Sequence, residues 1–301
     1  MPQRIQFILF LLMLLGIPGR SVLGNDAFAP TWESLSTHAI PEWVKDAKFG
    51  VYTHWGIYSV PAHGGPDYIR NLYEGSRNDA KGVYSYHTQK YGPLELFGYK
   101  DFIPQFTAKE FNADDWVGLM HEAGAKFGGI CVVHHDGFLL WESKVSRWNA
   151  AAMGPKRDIY GEIAAAVRRY KDMKLLATFH HGRSFGYCTG GMKETDITDT
   201  MRKTWDVFDP QYKDLYWNQW TGTAKEFSDE WRAKITEVID TYKPDMIWFD
   251  GLRTAMRGEH PPESYVLDVI ARYLNQASAH GQQVTVCNKH GGEFNFPTNF
   301  G

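Results

Sequence analysis

Short apolar runs that each end in a polar cluster, separated by stretches of helical periodicity, constrain this chain more than any other feature. The first run, Lys48-Phe-Gly-Val-Tyr-Thr, closes on His54-Trp55-Gly56. The next, Phe127-Gly-Gly-Ile-Cys-Val-Val, closes on His134-His135-Asp136-Gly137. A third runs from Lys174 into His180-His181, a fourth, Met246-Ile-Trp-Phe, into Asp250-Gly251, and a fifth, Val284-Thr-Val-Cys, into Asn288-Lys289-His290. Runs of this length bounded by turn residues read as buried strands.

Helical spacing fills the intervals. Asn112 is a good N-cap with Asp115 three residues on, and Trp116, Leu119 and Met120 share one face of a helix expected to end near Gly124. Asp158 opens a helix carrying Ile159, Ile163, Val167 and Tyr170. Trp231, Ile235, Val238, Ile239 and Tyr242 make another apolar stripe, which Pro244 stops, and a last helix covers residues 263–278. Residues 61–109, rich in Gly, Pro, Tyr and Asn, show no clear period and predict a long irregular excursion.

Strands alternating with helices imply a parallel sheet covered by helices. Polar residues at nearly every strand C-terminus favour a (β/α)8-like, TIM-type barrel, whose chemistry sits at that face. A doubly wound open sheet would gather its site at one switch point. Only five or six strands precede Gly301, so the barrel is expected to be truncated before closure. The expected organisation is a signal peptide at residues 1–24 and one catalytic (β/α) barrel domain at 25–301. A basic start, an apolar run at residues 5–17 and small residues at 21–24 carry the first part. They imply a secreted, periplasmic or lysosomal protein with no membrane span in its mature form.

Charge and cysteine content exclude other classes. With 32 basic and 35 acidic residues the net charge is −3, and there is no long basic run to track a phosphate backbone, so nucleic acid is excluded as a partner. Three cysteines, Cys131, Cys188 and Cys287, cannot all pair, and no disulfide framework is expected. Eleven Trp, 16 Tyr and 18 Phe are many for this length, and aromatic faces suit sugar rings. The sequence sets no oligomeric state.

Asp250 follows two aromatics at a strand mouth. A carboxylate there can attack an anomeric carbon, as retaining glycosidases require, or it can simply cap the next turn. His54, His134, His135, His180 and His181 crowd three strand ends and read together as a functional pocket. Adjacent strand residues point to opposite faces, so His134 and His135 share a pocket only if the chain turns there, which Gly137 permits. A metal site is the competing reading of the same histidines. No H-x-H pair or H-E-x-x-H helix supports it, and the expectation is no metal and no cofactor.

Four ordered blocks resemble the α-L-fucosidases of glycoside hydrolase family 29. They are residues 48–61, Val132-Val-His-His-Asp-Gly-Phe-Leu-Leu-Trp141, Met153-Gly-Pro-Lys-Arg-Asp158 with Gly161-Glu162, and Lys243-Pro-Asp-Met-Ile-Trp-Phe-Asp-Gly251. The resemblance implies a retaining exo-α-L-fucosidase acting on fucosylated carbohydrate. A (β/α) barrel would be followed by a β-sandwich, and no metal is needed. It places the nucleophile at Asp250 and substrate contacts at His54, Trp55, His134 and His135. Two places depart from the family pattern. Pro66-Asp67-Tyr68 stands where Glu-Trp-Tyr is common, which puts Asp67 at a sugar-contacting position. Phe179-His180-His181 stands where a Tyr-x-Ser is usual, which makes His180 the candidate contact. The general acid/base belongs after the strand ending at Asn288, where Glu293 is a weak candidate and a residue beyond Gly301 the favoured one. A metal-dependent hydrolase and a non-catalytic fucose-binding protein are the alternatives.

Overall fold

The structure is a computed structural model that describes residues 27–250 and 261–289. Its sheet has five strands, β1 (Gly50–Thr53), β2 (Phe127–Val133), β3 (Lys174–Phe179), β4 (Met246–Phe249) and β5 (Thr285–Asn288), each parallel to the next, in the spatial order β1-β2-β3-β4-β5. Sequential order without reversal is the barrel's order, since a doubly wound sheet must double back at a switch point. The crossovers run through helices Ala113–Glu122, Ile159–Val167, Ala224–Tyr242 and Glu263–Ala279.

Register divides the strand residues between two faces. Val51, Ile130, Ala177, Phe179, Ile247, Phe249 and Val286 fall on the face covered by helices, where Phe249 meets Phe179 and Trp231 at 5.6 and 6.3 Å between ring centroids. Each Ile, Val or Phe of this set that is fully withdrawn from water stabilises the fold by roughly 1.5–3 kcal/mol. Tyr52, Cys131, Thr178, Trp248 and Cys287 fall on the other face. There the Tyr52 and Trp248 rings lie only 5.6 Å apart. Three strand spacings of a flat sheet would separate them by about 14 Å. The sheet is therefore rolled into a concave wall, which is what a barrel requires.

One residue breaks the regular register. Cys131 pairs with Thr178 but Val133 pairs with Phe179, so Val132 is the extra residue of a bulge, and its carbonyl accepts from the Leu140 N–H at 2.9 Å. Without the bulge Val133 would take the inward position opposite His180. With it, His134 does.

The helix starts are largely those expected. The Asn112 side chain accepts from the Asp114 and Asp115 amides, and Asp158 accepts from the Gly161 amide. Trp231, Ile235, Val238, Ile239 and Tyr242 are all buried, and Lys243, at φ 48°, ends that helix before Pro244. Leu119 departs from its expected face. It is 69% exposed, and Val117 takes the inward position beside Met120. The three cysteines are free.

The expectation of irregular structure over residues 61–109 is overturned. That stretch holds helices Tyr68–Gly75 and Val83–Tyr91 and a 3-10 segment, Tyr99–Gln105. Tyr68, Ile69, Leu72 and Tyr73 form a helical stripe that the surrounding Gly, Pro and Asn obscure. A buried carboxylate ties this excursion to the rest of the molecule. Asp206 accepts from the Tyr73 hydroxyl at 2.7 Å and the Tyr216 hydroxyl at 2.6 Å. Those two oxygens in turn accept from the Tyr99 and Lys100 amides at 3.1 and 2.8 Å.

Candidate functional site

The residue following each strand extends the ladder. The His180 amide donates to the Val133 carbonyl at 2.9 Å, the Asp250 amide to Phe179 at 3.0 Å and the Lys289 amide to Phe249 at 3.0 Å. These bonds fix the backbone of three site residues as firmly as the sheet itself. Alternation then aims their side chains. His54 is two residues past Tyr52, His180 two past Thr178, Asp250 two past Trp248 and Lys289 two past Cys287. All four continue the concave face, and the bulge adds His134 to the same row.

The rings are in contact. His54 lies edge-on to His180 at 4.6 Å between centroids, His134 stacks on His180 at 5.2 Å, and His135 lies 4.6 Å from His134. The turn expected at Gly137 is what lets adjacent histidines meet. Its amide donates to the His134 carbonyl at 3.0 Å and its φ is +77°. A Cβ there would lie 2.6 Å from the Leu215 carbonyl oxygen, so only glycine fits. Asp250 sits beside this cluster. Its Oδ2 is 3.1 Å from His180 Nδ1 and its Oδ1 is 3.0 Å from Lys289 Nζ.

Burial alone would favour a neutral Asp250, but the hydrogen bonds and charge of His180 and Lys289 outweigh it and hold the carboxyl well below the usual carboxylate range. An ionised carboxylate can only accept, so His180 Nδ1–H donates to it. Burial followed by repulsion from His180 lowers His54 to about 4 and His135 to about 3. Burial also drives His134 and His181 well below their ordinary value. Neutral imidazoles offer one donor and one acceptor each. His134 Nδ1, His135 Nδ1 and His180 Nε2 are buried without a hydrogen-bond partner among the described residues. Leaving such atoms unpaired costs roughly 1–3 kcal/mol each. A ligand with several hydroxyls would satisfy them.

These shifts make stability depend on pH. In the folded state His54 and His135 take up protons only near pH 4 and 3, whereas an unfolded histidine does so near 6.5. The unfolded chain therefore binds more protons as pH falls through this window, and stability falls with it. Asp136 acts in the opposite sense. Burial raises its carboxyl from 3.8 to about 6, so it protonates earlier when folded and gains stability between about pH 6 and 4. Burial raises Asp206 in the same direction, but six depressed histidines, these four with His38 and His87, outnumber the two carboxyls. The urea midpoint is expected to drop between pH 7 and pH 5, and a flat or rising midpoint would contradict neutral histidines.

Similarity to known proteins decides the family. The α-L-fucosidase profile matches residues 19–299. The chain belongs to the α-L-fucosidase family. It is 35% identical over 229 residues to a mouse tissue α-L-fucosidase, covering 74% of this chain and 43% of that one. It is 30% identical over 282 residues to a human plasma α-L-fucosidase, covering 88% and 51%. The fold matches a Thermotoga maritima α-fucosidase crystal structure with a TM-score of 0.63 at 30% identity, covering 88% of this chain and 57% of that one. The chain thus spans about half the length of the curated relatives it matches.

Within this α-L-fucosidase-family chain, the structure brings together His54, His134, His135, His180 and Asp250. It places three other predicted site residues differently, the first being His181, whose ring turns to Phe179 and Trp231 on the helix-covered side at 6.0 Å each. The Trp55 ring packs on Phe106, Phe111 and Trp116 at 4.9–5.2 Å, because the residue after His54 points to the opposite side. The Asp67 carboxylate accepts from the Tyr187 hydroxyl, and Tyr187 in turn lies 4.2 Å from His135. Asp67 therefore reaches the cluster through a tyrosine. A groove of about 430 Å³ beside His54 is lined by Tyr58, Ser59, His63 and Gly64. Glu293 and the expected signal peptide lie outside the described residues.

Four contributors escape the sequence reading. Lys289, not Asn288, meets Asp250 from β5, because Asn288 pairs with Phe249 on the helix-covered side. Tyr52 and Trp248 stand two residues before His54 and Asp250, a period-2 signal that could have been read. Tyr187 gives no such signal, since it reaches the cluster from a loop. Ligand atoms of His54, His134 and His180 all lie within 4.8 Å of one another, so these three could also hold a metal ion.

Proposed function

We propose that the protein is a retaining exo-α-L-fucosidase that removes terminal α-L-fucose from fucosylated carbohydrate by double displacement. The observation that carries this reading is an ionised carboxylate, Asp250, fixed at the mouth of the concave sheet beside buried imidazole nitrogens that lack partners. Asp250 attacks the anomeric carbon, the glycosidic oxygen leaves with a proton from a second carboxyl, and water then releases fucose from the covalent intermediate. The neutral histidines exchange hydrogen bonds with the ring hydroxyls. The acid/base is assigned to the stretch following β5, where Glu293 is the first carboxylate. Family membership supports the reading, as does a Thermotoga maritima α-fucosidase crystallised with fucose, at 31% identity and a TM-score of 0.63.

The complete gene product is expected to hydrolyse an aryl α-L-fucoside and to yield α-L-fucose as the first-formed anomer by proton NMR. First-formed β-anomer would refute retention, and fucose binding without aryl release would leave a carbohydrate-binding protein instead.

The histidine trio gives one observation in favour of a metal-dependent hydrolase, because three imidazoles with ring nitrogens within 4.8 Å of one another match a catalytic zinc site. Lys289 argues against it, since its ammonium already pairs with the carboxylate beside the trio. Activity unchanged by chelator supports the glycosidase, and loss with recovery on added zinc supports the metal. Among the described residues no helix is long and apolar enough to cross a membrane. With the apolar leader at residues 5–17 and relatives named tissue and plasma fucosidases, we place the working protein outside the cytoplasm, in a lysosome, periplasm or extracellular space.

A further inference from the structure

We propose that Lys289 is a displaceable counter-ion of Asp250, leaving Oδ1 as the attacking atom and speeding breakdown of the covalent intermediate. This rests on the retaining reading above. Oδ2 accepts the His180 hydrogen bond and Oδ1 carries only the Lys289 ion pair, and a nucleophile must free one of them. The two partners are not equivalent. The His180 side chain is 2% exposed, stacked on His134 and crossed by His54, so the proton it places on Oδ2 is held in position. The Lys289 side chain is 52% exposed, and its backbone alone is pinned, by the amide bond to Phe249. Its ammonium can swing toward solvent while His180 cannot. Oδ1 is thus the oxygen that becomes available.

The consequence differs between the two chemical steps. In the first, an Oδ1 lone pair forms the bond to the anomeric carbon as the bond to the glycosidic oxygen breaks, and the leaving oxygen takes a proton from the acid/base. Lys289 stabilises the anionic carboxylate before this step more than the partly neutralised one in the transition state, so it does not assist attack. In the second, water attacks the anomeric carbon, its proton passes to the acid/base, and the electron pair of the breaking bond returns to Oδ1. The intermediate is a neutral ester that gains nothing from Lys289, whereas the transition state carries growing negative charge on Oδ1 that Lys289 stabilises. Lysine at this position acts on Asp250, and through it on the second step.

The test compares wild type, Lys289→Met and Lys289→Arg in the complete gene product, with an aryl α-L-fucoside of good leaving ability. For Lys289→Met, kcat is expected to fall by about tenfold or more and KM to fall with it, so that kcat/KM changes little. A burst of aryl release should appear, and mass spectrometry of quenched digests should find fucose covalently bound to the Asp250 peptide. Lys289→Arg keeps the charge and should restore kcat. A purely structural role would lower the amount of folded protein without building up the adduct. The proposal is overturned if kcat/KM falls at unchanged KM with no adduct, or if neither constant moves. Absence of turnover in the wild-type protein would overturn the fucosidase reading itself, and the proposal with it.

Discussion

Asp250→Ala is expected to lower kcat/KM toward an aryl α-L-fucoside by roughly 10⁴-fold or more, the scale of losing a covalent nucleophile. On the proposed reading the substitution removes the carboxylate that forms the glycosyl-enzyme, while sparing the backbone bond from the residue 250 amide to Phe179, which does not depend on the side chain. It also deprives His180 Nδ1 of its acceptor and Lys289 of its partner, so a modest stability change should accompany the kinetic one. Asp250→Asn separates these effects. The amide oxygen can still accept from His180, but a neutral carboxamide is a poor nucleophile, so activity should be lost while stability is retained. Formate, which fits the space a deleted carboxylate leaves, should restore part of the turnover in the alanine variant and none in the asparagine variant. Normal turnover in Asp250→Ala would eliminate this residue as nucleophile.

Asp206→Ala is expected to destabilise the fold by about 3–5 kcal/mol, measured as the change in unfolding free energy in urea. Burial raises the Asp206 carboxyl above its ordinary value, and only the Tyr216 and Tyr73 hydroxyls and the more distant Lys100 oppose that shift. Its removal would leave the two buried hydroxyls only each other, at 3.5 Å, as an acceptor, each with its oxygen still committed to a backbone amide of the 3-10 segment Tyr99–Gln105. Tyr73, Tyr216 and Asp206 are all buried, so bulk water does not replace the lost hydrogen bonds. The network joins the excursion between β1 and β2 to the segment after β3, so the damage should appear as a lower unfolding midpoint. The rate constants of the molecules that remain folded should stay near wild type. A loss below 1 kcal/mol would mean that the tyrosines find other acceptors.

Legibility in the sequence followed the range of the interaction involved. Strand ends could be read because an apolar run and the polar residue that stops it are neighbours in the chain. The five predicted strands accordingly fall within a few residues of β1 to β5. The helix at Ala224–Tyr242 was equally plain, since burial of Trp231, Ile235, Val238, Ile239 and Tyr242 repeats at the helical period. Leu119 fits the same period but faces solvent, because periodicity proposes a face and only the neighbouring elements choose its angle. The helix at Tyr68–Gly75 was hidden for the reverse reason. Its stripe is short, and flanking glycines and a proline look like loop until Tyr99 and Phe102 pack against it.

The candidate site divides in the same way. That His54, His134, His180 and Asp250 stand at strand ends is a property of the sequence, and so is their suitability for sugar chemistry. Which of them converge depended on three tertiary facts. A bulge at Val132 turned His134 inward, the curvature of the sheet brought side chains of β1 against those of β3 and β4, and register chose Lys289 over Asn288 to meet Asp250. None of these leaves a local signature, because each is set by hydrogen bonds and packing between segments that lie about 40 to 200 residues apart in the chain. The amino-acid sequence thus determined which groups could do the chemistry and on which strand each stands. The tertiary structure decided which atoms touch, since a one-residue change of register reverses the direction of every side chain that follows it.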